Sequence, residues 1–297
     1  MTTEYPKGNI SGIGLATFAQ TVATHTGGLV TVEPTYDSKI TSGQLVQAAA
    51  EGRVAGGDAF GGPMDTLDPV FALPSLPFIV RSVADARALN ARARPAYEAA
   101  LARHGMRLLY LTLWPPTGLW SDRVLASPGD LQGLRVRTYD DNSAVVLTAA
   151  GAHAAYLPFG EAMVRLQRRE LDGVLTSGDG GVVRGLWDAL PHFTAISYAI
   201  PVSFAFVRAD AFDALPKPVR EQVLTAARET EARQFALLET RVQENYAQMR
   251  VRGVSIVDPP PAGLVGHLRE SAGLTLRDWR ARVPAELREL SEESASR

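Results

Sequence analysis

The sequence predicts an α/β protein with parallel crossovers, and three observations point to that class. Strand-like and helix-like segments alternate along the first 60 residues, in the order strand, helix, strand, helix, strand. A further series of strands and helices follows between residues 83 and 210. One helical pattern then runs from Pro218 to Arg252 with no proline inside it, a length of about 50 Å. Its apolar positions keep no strict heptad, which favours one helix spanning two lobes over a coiled coil.

The first part of the chain predicts five elements and a packed loop. The elements are a short strand at 3–6, a helix over 15–22 that stops at Gly27, a strand LVTVEP at 29–34, a helix at 44–51 and a strand RVAGGDAF at 53–60. Prolines and glycines between residues 60 and 80 break any regular element. The apolar residues among them, such as Phe71 and Leu76, predict that this loop is packed.

The remaining elements are predicted from the same helical and strand spacing of apolar residues. They are a helix at 83–104, strands at 106–114 and 134–138, helices at 142–150 and 160–170, strands at 172–177 and 203–210, the long helix, and a strand at 254–258. Pro115 ends the first of these strands and Pro259 ends the last. No internal repeat occurs in the sequence.

Charge and composition exclude several classes of protein. The chain has 297 residues with 30 basic and 32 acidic side chains, so it lacks the basic surface that a nucleic-acid binder needs. It has no cysteine, which excludes disulfides, thiolate metal sites and a cysteine nucleophile. No apolar run approaches the roughly 18 residues of a membrane span, and the opening residues MTTEYPKGN carry no signal-peptide core.

Sequence motifs that would demand catalysis, a metal or a cofactor do not occur. The five histidines stand singly, without HxH or HExxH spacing, and neither GxSxG nor a phosphate-binding loop is present. Segments starting at Gly12 and Gly178 lack the third glycine of a dinucleotide fingerprint. We therefore predict no enzyme, no metal and no cofactor. A hydrolase that uses Glu161 with Asp172 or Asp140 as acid and base stays an alternative.

Two arginines on the strand LRVR, residues 134–137, are the main candidates for binding. Side chains alternate along a strand, so Arg135 and Arg137 share one face and repel each other unless each meets an anion or solvent. Arg137 stands at the carboxyl end of the strand, where open α/β sheets bind ligands. A guanidinium meets a carboxylate through two parallel hydrogen bonds. The alternative is an internal ion pair of Arg137 with Glu161 or Asp140.

Residues 130–177 carry a pattern that resembles the extracytoplasmic solute receptors of TRAP transporters, the tripartite ATP-independent periplasmic family (DctP-like). DLQGLRVR at 130–137, PFGEAMVRLQ at 158–167 and LDG at 171–173 occur in the family's order and at compatible spacing. ALPSLPF at 72–78 and the long helix are similar to further parts of the family pattern. The resemblance covers nearly the whole chain.

The resemblance implies a two-lobed periplasmic binding protein, type II-like, that closes on a small organic acid and hands it to TRAP membrane permease subunits. The lobes are then residues 1–123 plus 210–253 for lobe I and residues 124–209 plus 254–297 for lobe II, with hinge strands near 123 and 209. The expected location is the periplasm, with the signal peptide not present in this chain.

The resemblance also implies roles for single residues. The family's carboxylate-binding arginine falls on Arg137. Phe159 matches an aromatic residue that lies against the ligand, and Thr176 matches a polar contact that is often asparagine. Ser203 aligns with another polar contact. Thr117 stands where some members carry a second arginine, so a monocarboxylate is expected.

Four further residues are binding candidates from their positions in the chain. Trp114 precedes two prolines and suits a rigid cleft wall, and Phe60 and Tyr139 lie near predicted strand ends. Asn9, in the first turn, either donates its amide to a ligand or caps a helix. If two of these aromatic residues face the ligand, an apolar or aromatic carboxylate is favoured over a dicarboxylate. A sensor of the same fold without a permease partner stays a second alternative.

Overall fold

Two β-sheets organise the chain in the computed structural model, which describes residues 1–296. Within that range there are nine strands: β1 (Gly56–Phe60), β2 (Met106–Leu113), β3 (Thr117–Ser121), β4 (Arg135–Thr138), β5 (His153–Tyr156), β6 (Gly173–Ser177), β7 (His192–Thr194), β8 (Val202–Arg208) and β9 (Ser255–Val257). One sheet has the order β1-β8-β2, and the other has the order β5-β4-β6-β3-β7-β9.

Eleven α-helices accompany the strands in the described residues, which confirms the predicted α/β class. They are α1 (Ile10–His25), α2 (Ser42–Ala50), α3 (Val83–Arg103), α4 (Asp141–Ala149), α5 (Phe159–Gln167), α6 (Gly178–Arg184), α7 (Ala209–Asp213), α8 (Lys217–Val251), α9 (Ala262–Ser271), α10 (Gly273–Arg282) and α11 (Ala285–Ser296). The predicted long helix is confirmed, because α8 spans 35 residues. None of the helices within these residues has both the length and the apolar character of a membrane span.

The chain divides into two compact units, and unit 1 contains the smaller sheet. Its residues are Met1–Phe71, Asn90–Trp114 and Val202–Thr240. Strand β8 lies between β1 and β2 and is antiparallel to both, so Ser203 is flanked by Phe60 and Thr112. Apolar side chains from α1, β2 and α8, among them Phe18 and Tyr110, form a core against this sheet.

Unit 2 contains the larger sheet. Its residues are Ala72–Leu89, Pro115–Pro201 and Arg241–Arg297. Strand β4 is parallel to both of its neighbours, β5 and β6, whereas β3 is antiparallel to β6 and β7. Trp120, Phe159 and Phe193 belong to the apolar core of this unit. This arrangement brings the carboxyl ends of three parallel strands to one edge of the sheet.

Two of the five points at which the chain changes unit are Trp114 and Pro201, whereas the sequence predicted hinge strands near 123 and 209. Strand pairing accounts for the difference. Strand β3 pairs with β6 and therefore belongs to unit 2, and β8 pairs with β1 and β2 and therefore belongs to unit 1. Helix α8 begins in unit 1 and ends in unit 2. The positions of the hinges themselves stay a prediction.

Two of the predicted strands are wrong. Within the described residues, the segments 3–6 and 29–34 form no strand, and only isolated bridges join Thr2 to Thr35 and to Gly57. Strand propensity measures how well side chains suit a half-buried pleated surface, and Leu29 is 77% exposed. The predicted packed loop is confirmed: it forms 3₁₀ turns, and Phe71 and Leu76 are fully buried.

Candidate functional site

Three strand-to-helix turns meet at one edge of the sheet in unit 2. Strand β4 leads into α4, β5 leads into α5 and β6 leads into α6, and the three strands are neighbours in the order β5-β4-β6. Asp140 caps α4 by accepting a hydrogen bond from the Ser143 backbone, and Ser177 caps α6 in the same way. The carboxyl edge of parallel strands is where open α/β sheets bind ligands.

Arg137 lies at this edge, one residue before the end of β4, and its side chain is only 5% exposed. Its Nε donates to the backbone oxygen of Leu157 at 2.8 Å, and its Nη1 donates to the oxygen of Leu175 at 3.5 Å. The guanidinium carbon lies 4.7 Å from the centroid of the Phe159 ring, within the range of a cation–π interaction. These contacts fix both the position and the plane of the guanidinium.

Phe159 contacts a second arginine that the sequence analysis missed. The guanidinium of Arg184, the last residue of α6, lies 5.7 Å from the same ring centroid. Phe159 is 7% exposed and also packs against the core of unit 2. No sequence motif around Arg184 predicts this contact, because the contact depends on how α6 packs relative to α5. We call Arg137, Phe159 and Arg184 the arginine cluster.

Thr176 and Tyr139 lie on the strands of the same edge. Thr176 belongs to β6 and is 8% exposed, and Tyr139 directly follows β4 and is buried. Burial and the neighbouring Asp140 carboxyl raise the pKa of Tyr139 well above its usual value, while a hydrogen bond with Thr117 opposes the shift. Thr117, where the resemblance would place a second arginine, is thus a neutral partner of Tyr139.

Two of the three carboxylates proposed for a hydrolase are bonded to arginines, and the third, Asp140, caps α4. Asp172 accepts a hydrogen bond from Arg135 Nε at 2.7 Å, and this interaction lowers the pKa of Asp172. Glu161 pairs with Arg165 one turn later on α5 at 2.8 Å, and both side chains are exposed. A carboxyl whose pKa is lowered stays ionised near neutral pH and is a poor general acid. Of the two partners expected for Arg135, an anion or solvent, the structure shows an anion, Asp172.

Three aromatic side chains gather in unit 1, and we call Tyr5, Phe60 and Trp114 the aromatic group. The Trp114 ring lies 4.8 Å from the Tyr5 ring and 5.6 Å from the Phe60 ring, both in edge-to-face geometry. Phe60 and Trp114 are each 5% exposed. Tyr5 was missed, although an aromatic residue directly before Pro6 in the first turn was a usable signal.

Buried polar residues lie behind the aromatic group. Trp114 Nε1 donates to Ser203 Oγ at 2.9 Å, and Ser203 is fully buried. Ser11 donates to Asp58 Oδ1, and Asp58 is also fully buried. Burial raises the pKa of Asp58 to about 7, against the opposing effect of hydrogen bonds from Ser11 and Ser203. An acidic residue inside the apolar strand β1 is the sequence signal for Asp58.

Asn9 caps helix α1. Its side-chain oxygen accepts a hydrogen bond from the backbone of Ser11 at 3.2 Å, and Asn9 is 2% exposed. Of the two roles that the sequence left open, this geometry is that of a helix cap. A direct contact between Asn9 and a ligand stays a prediction.

The eight predicted site residues therefore fall into two sets, one in each unit. Unit 2 holds Arg137, Tyr139, Phe159 and Thr176, and unit 1 holds Asn9, Phe60, Trp114 and Ser203. In residues 1–296 no three histidine, aspartate or glutamate side chains form a group that could hold a metal ion.

The model of one protein family matches residues 1–265 of the chain, which is most of its length. That family is described as DctP, bacterial extracellular solute-binding protein, family 7. The chain belongs to this family. The resemblance predicted from the motifs around Arg137 is thereby confirmed, and the protein is a solute-binding protein of the TRAP receptor type.

Individual relatives agree with this assignment. A solute-binding protein of Verminephrobacter eiseniae is 24% identical over 254 residues, covering 83% of this chain and 75% of that protein. The solved structure of DctP7, a Bordetella pertussis extracytoplasmic solute receptor binding pyroglutamic acid, is 25% identical with a TM-score of 0.94. It covers 100% of this chain and 98% of that receptor.

A second solved structure shares the fold. It is a marine metagenome TRAP solute-binding protein specific for pyroglutamate, with 22% identity and a TM-score of 0.93. The comparison covers 100% of this chain and 98% of the metagenome protein. The two-lobed fold predicted from the resemblance is confirmed by these structures of the same receptor family.

Proposed function

We propose that this solute-binding protein captures one small organic monocarboxylate through Arg137 in the periplasm and delivers it to the membrane permease subunits of a TRAP transporter. The setting of Arg137 carries the proposal. Its guanidinium is buried, is bonded to two backbone carbonyls and rests on the Phe159 ring at the carboxyl edge of parallel strands. A cation that is already oriented loses little entropy when it binds a carboxylate.

For the ligand, we propose a compact acid and choose pyroglutamate as the first compound to test. The likeness to the Bordetella receptor that binds pyroglutamic acid supports this choice. Pyroglutamate offers one carboxylate to Arg137 and a small ring to aromatic side chains. Thr117, in place of a second arginine, supports a single carboxylate. The aromatic residues Trp114, Phe60 and Tyr139 support a ring or an apolar body.

In this proposal six of the eight predicted residues have a stated task. Arg137 binds the carboxylate and Phe159 holds the guanidinium in place. Thr176 supplies one hydroxyl for the body of the acid. In unit 1, Trp114 and Phe60 supply aromatic surface, and Ser203 acts by way of Trp114, to which it is bonded.

We also propose that the protein returns its ligand unchanged. The arginine partner of Asp172 supports this, because it keeps that carboxylate ionised, and Glu161 is exposed and paired with Arg165. Mass spectrometry of each bound acid after long incubation should recover the starting compound. A product that accumulates with time and with protein concentration would instead establish an enzyme.

A thermal-shift screen of organic acids, followed by calorimetric titration, tests the binding role. An acid at about 100 times its dissociation constant adds about 2.7 kcal/mol to the free energy of unfolding. In Arg137→Lys the charge remains but the two-pronged geometry is lost, so affinity should fall about 10- to 100-fold. Arg135→Lys is the matched control on the same strand, and its affinity should stay within about 2-fold.

Equal losses in the two variants would assign the effect to the strand and contradict a specific role for Arg137. A screen in which only neutral solutes bind would overturn the carboxylate class. The transport role predicts genes for two membrane subunits beside the gene for this chain. Acid binding without such genes would favour a sensor.

A further inference from the structure

A line of buried polar groups leads from Trp114 into the interior of unit 1. Trp114 Nε1 donates to Ser203 Oγ at 2.9 Å, the Ser203 hydroxyl neighbours Asp58 across the β1–β8 pair and lowers its pKa, and Ser11 donates to Asp58 Oδ1. Ser11, Asp58 and Ser203 are each 0% exposed. Three different elements supply them, since Ser11 is on α1, Asp58 on β1 and Ser203 on β8.

The donor and acceptor roles of these side chains determine which residue orients which. An indole has one N–H donor and no acceptor, so its single hydrogen bond sets where the ring can lie. A serine hydroxyl has one proton, and because the Ser203 oxygen accepts from Trp114, that proton is left for the neighbouring Asp58 carboxyl, whose pKa the Ser203 hydroxyl lowers. Asp58 therefore determines which way the Ser203 hydroxyl points, and Ser203 determines the position of the indole.

Phe60, the neighbour of Trp114 in the aromatic group, is held in a similar way. Its backbone N–H donates to Ser42 Oγ at 2.9 Å, and the Ser42 hydroxyl in turn donates to the Glu4 carboxylate. The Phe60 and Trp114 rings are in edge-to-face contact. Hydrogen bonds thus restrain the Trp114 ring and the backbone of Phe60.

We infer that Asp58 is a positioning residue, which through Ser203 fixes the Trp114 ring and thereby the shape of the ligand body that unit 1 accepts. This inference deepens the proposed function and rests on it, because it takes Trp114 as a ligand contact. Asp58 is fully buried, so its influence on a ligand passes through the indole.

The groups that surround Asp58 set its pKa, and its change of protonation can be used to test the inference. Ser11 faces it from α1, Ser203 from β8 and Tyr110 from β2, and its backbone N–H donates to the oxygen of Thr2. The pKa of Tyr110 is itself raised well above its usual value, first by burial and then by Asp58, so Tyr110 stays neutral. Because burial raises the pKa of Asp58 to about 7, its protonation changes near neutral pH and should alter the hydrogen bond of the indole.

The first experiment needs no ligand and follows the indole N–H resonances of the four tryptophans by ¹⁵N NMR between pH 5 and pH 9. Trp114→Phe assigns the Trp114 resonance. We expect it to titrate with a midpoint near pH 7, and to lose that titration in Asp58→Asn. Trp120, whose indole donates to the backbone oxygen of Ser177 at 3.3 Å, is the internal control. A Trp114 resonance that does not titrate, or that titrates unchanged in Asp58→Asn, would overturn the inference.

The second experiment is a double-mutant cycle with pyroglutamate as the probe. Ser203→Ala should weaken binding about 3- to 10-fold in the natural background, the usual worth of one hydrogen bond. In the Trp114→Phe background the same change should alter affinity by less than about 2-fold. An equal loss in both backgrounds would contradict action through Trp114. If pyroglutamate does not bind at all, the proposed ligand fails, while the NMR experiment still decides the positioning of the indole.

Discussion

At the scale of single residues, Arg135 and Arg137 lie two positions apart on β4 but have different surroundings. Arg135 is 46% exposed in its side chain and pairs with Asp172, whereas Arg137 is 5% exposed and bonds to backbone carbonyls. An exposed ion pair contributes little free energy and is screened by salt. A buried guanidinium has already lost its water, so an incoming carboxylate meets it without that cost. This difference is why we propose Arg137, and not Arg135, as the residue that binds the ligand.

Asp58 allows a prediction about stability and pH. Its pKa is about 7 in the folded protein and near 3.8 in the unfolded chain, so the folded state binds the proton more tightly. The stabilisation is then complete below about pH 4 and is lost as the pH rises through 7. Urea unfolding should show Asp58→Asn gaining about 3 kcal/mol relative to the natural protein between pH 4.5 and pH 7.5.

Asp172 provides the control for that measurement, because its pKa is shifted the other way. The hydrogen bond from Arg135 lowers it, so the stability contributed by Asp172 is present above the unfolded pKa and is lost only in acid. Asp172→Asn should therefore show little change relative to the natural protein between pH 4.5 and pH 7.5. A stability difference for Asp58→Asn that is flat across this range would contradict the burial argument.

At the scale of elements, the sequence predicted best where periodicity was long. Helix α8 was expected over 218–252 and occupies Lys217–Val251, and α3 and β4 also lie where the pattern put them. Strand β3 was missed because it begins directly after Pro115 and Pro116, which the sequence analysis used only as a stop. The segment 29–34 was mistaken for a strand because β-branched residues favour a pleated surface only when a neighbouring strand supplies one.

Replacing two helical glycines by alanine should change the stability of the protein in opposite directions. A Cβ built on Gly181 of α6 lies 2.1 Å from the Trp120 ring, which is fully buried, whereas one built on Gly266 of α9 meets nothing within 4 Å. Gly181→Ala should therefore cost about 1–3 kcal/mol through overpacking. Gly266→Ala should gain about 0.5–1 kcal/mol, because it restricts the unfolded chain and favours helix. Thermal unfolding of the two variants measures both changes, and a shift of the same sign in each would contradict this account of α6 packing.

At the scale of the whole molecule, the sequence predicted the class and the long helix, and the family match confirms the receptor assignment, while the roles of the binding candidates stay a prediction. It could predict Arg137 because a charge at a strand end has a local signal. Tyr5 and Asp58 had local signals that were not used, whereas the contact of Arg184 with Phe159 joins segments far apart in the chain. Spacing along one strand or helix carries no information about such contacts.

A crystal structure of the protein with a bound acid tests the central claim most directly. The account predicts two hydrogen bonds of about 2.8 Å between the Arg137 guanidinium and the two oxygens of the ligand carboxylate, with Phe159 still against the arginine. A carboxylate held by other residues, with Arg137 bonded only to Leu157 and Leu175, would contradict it.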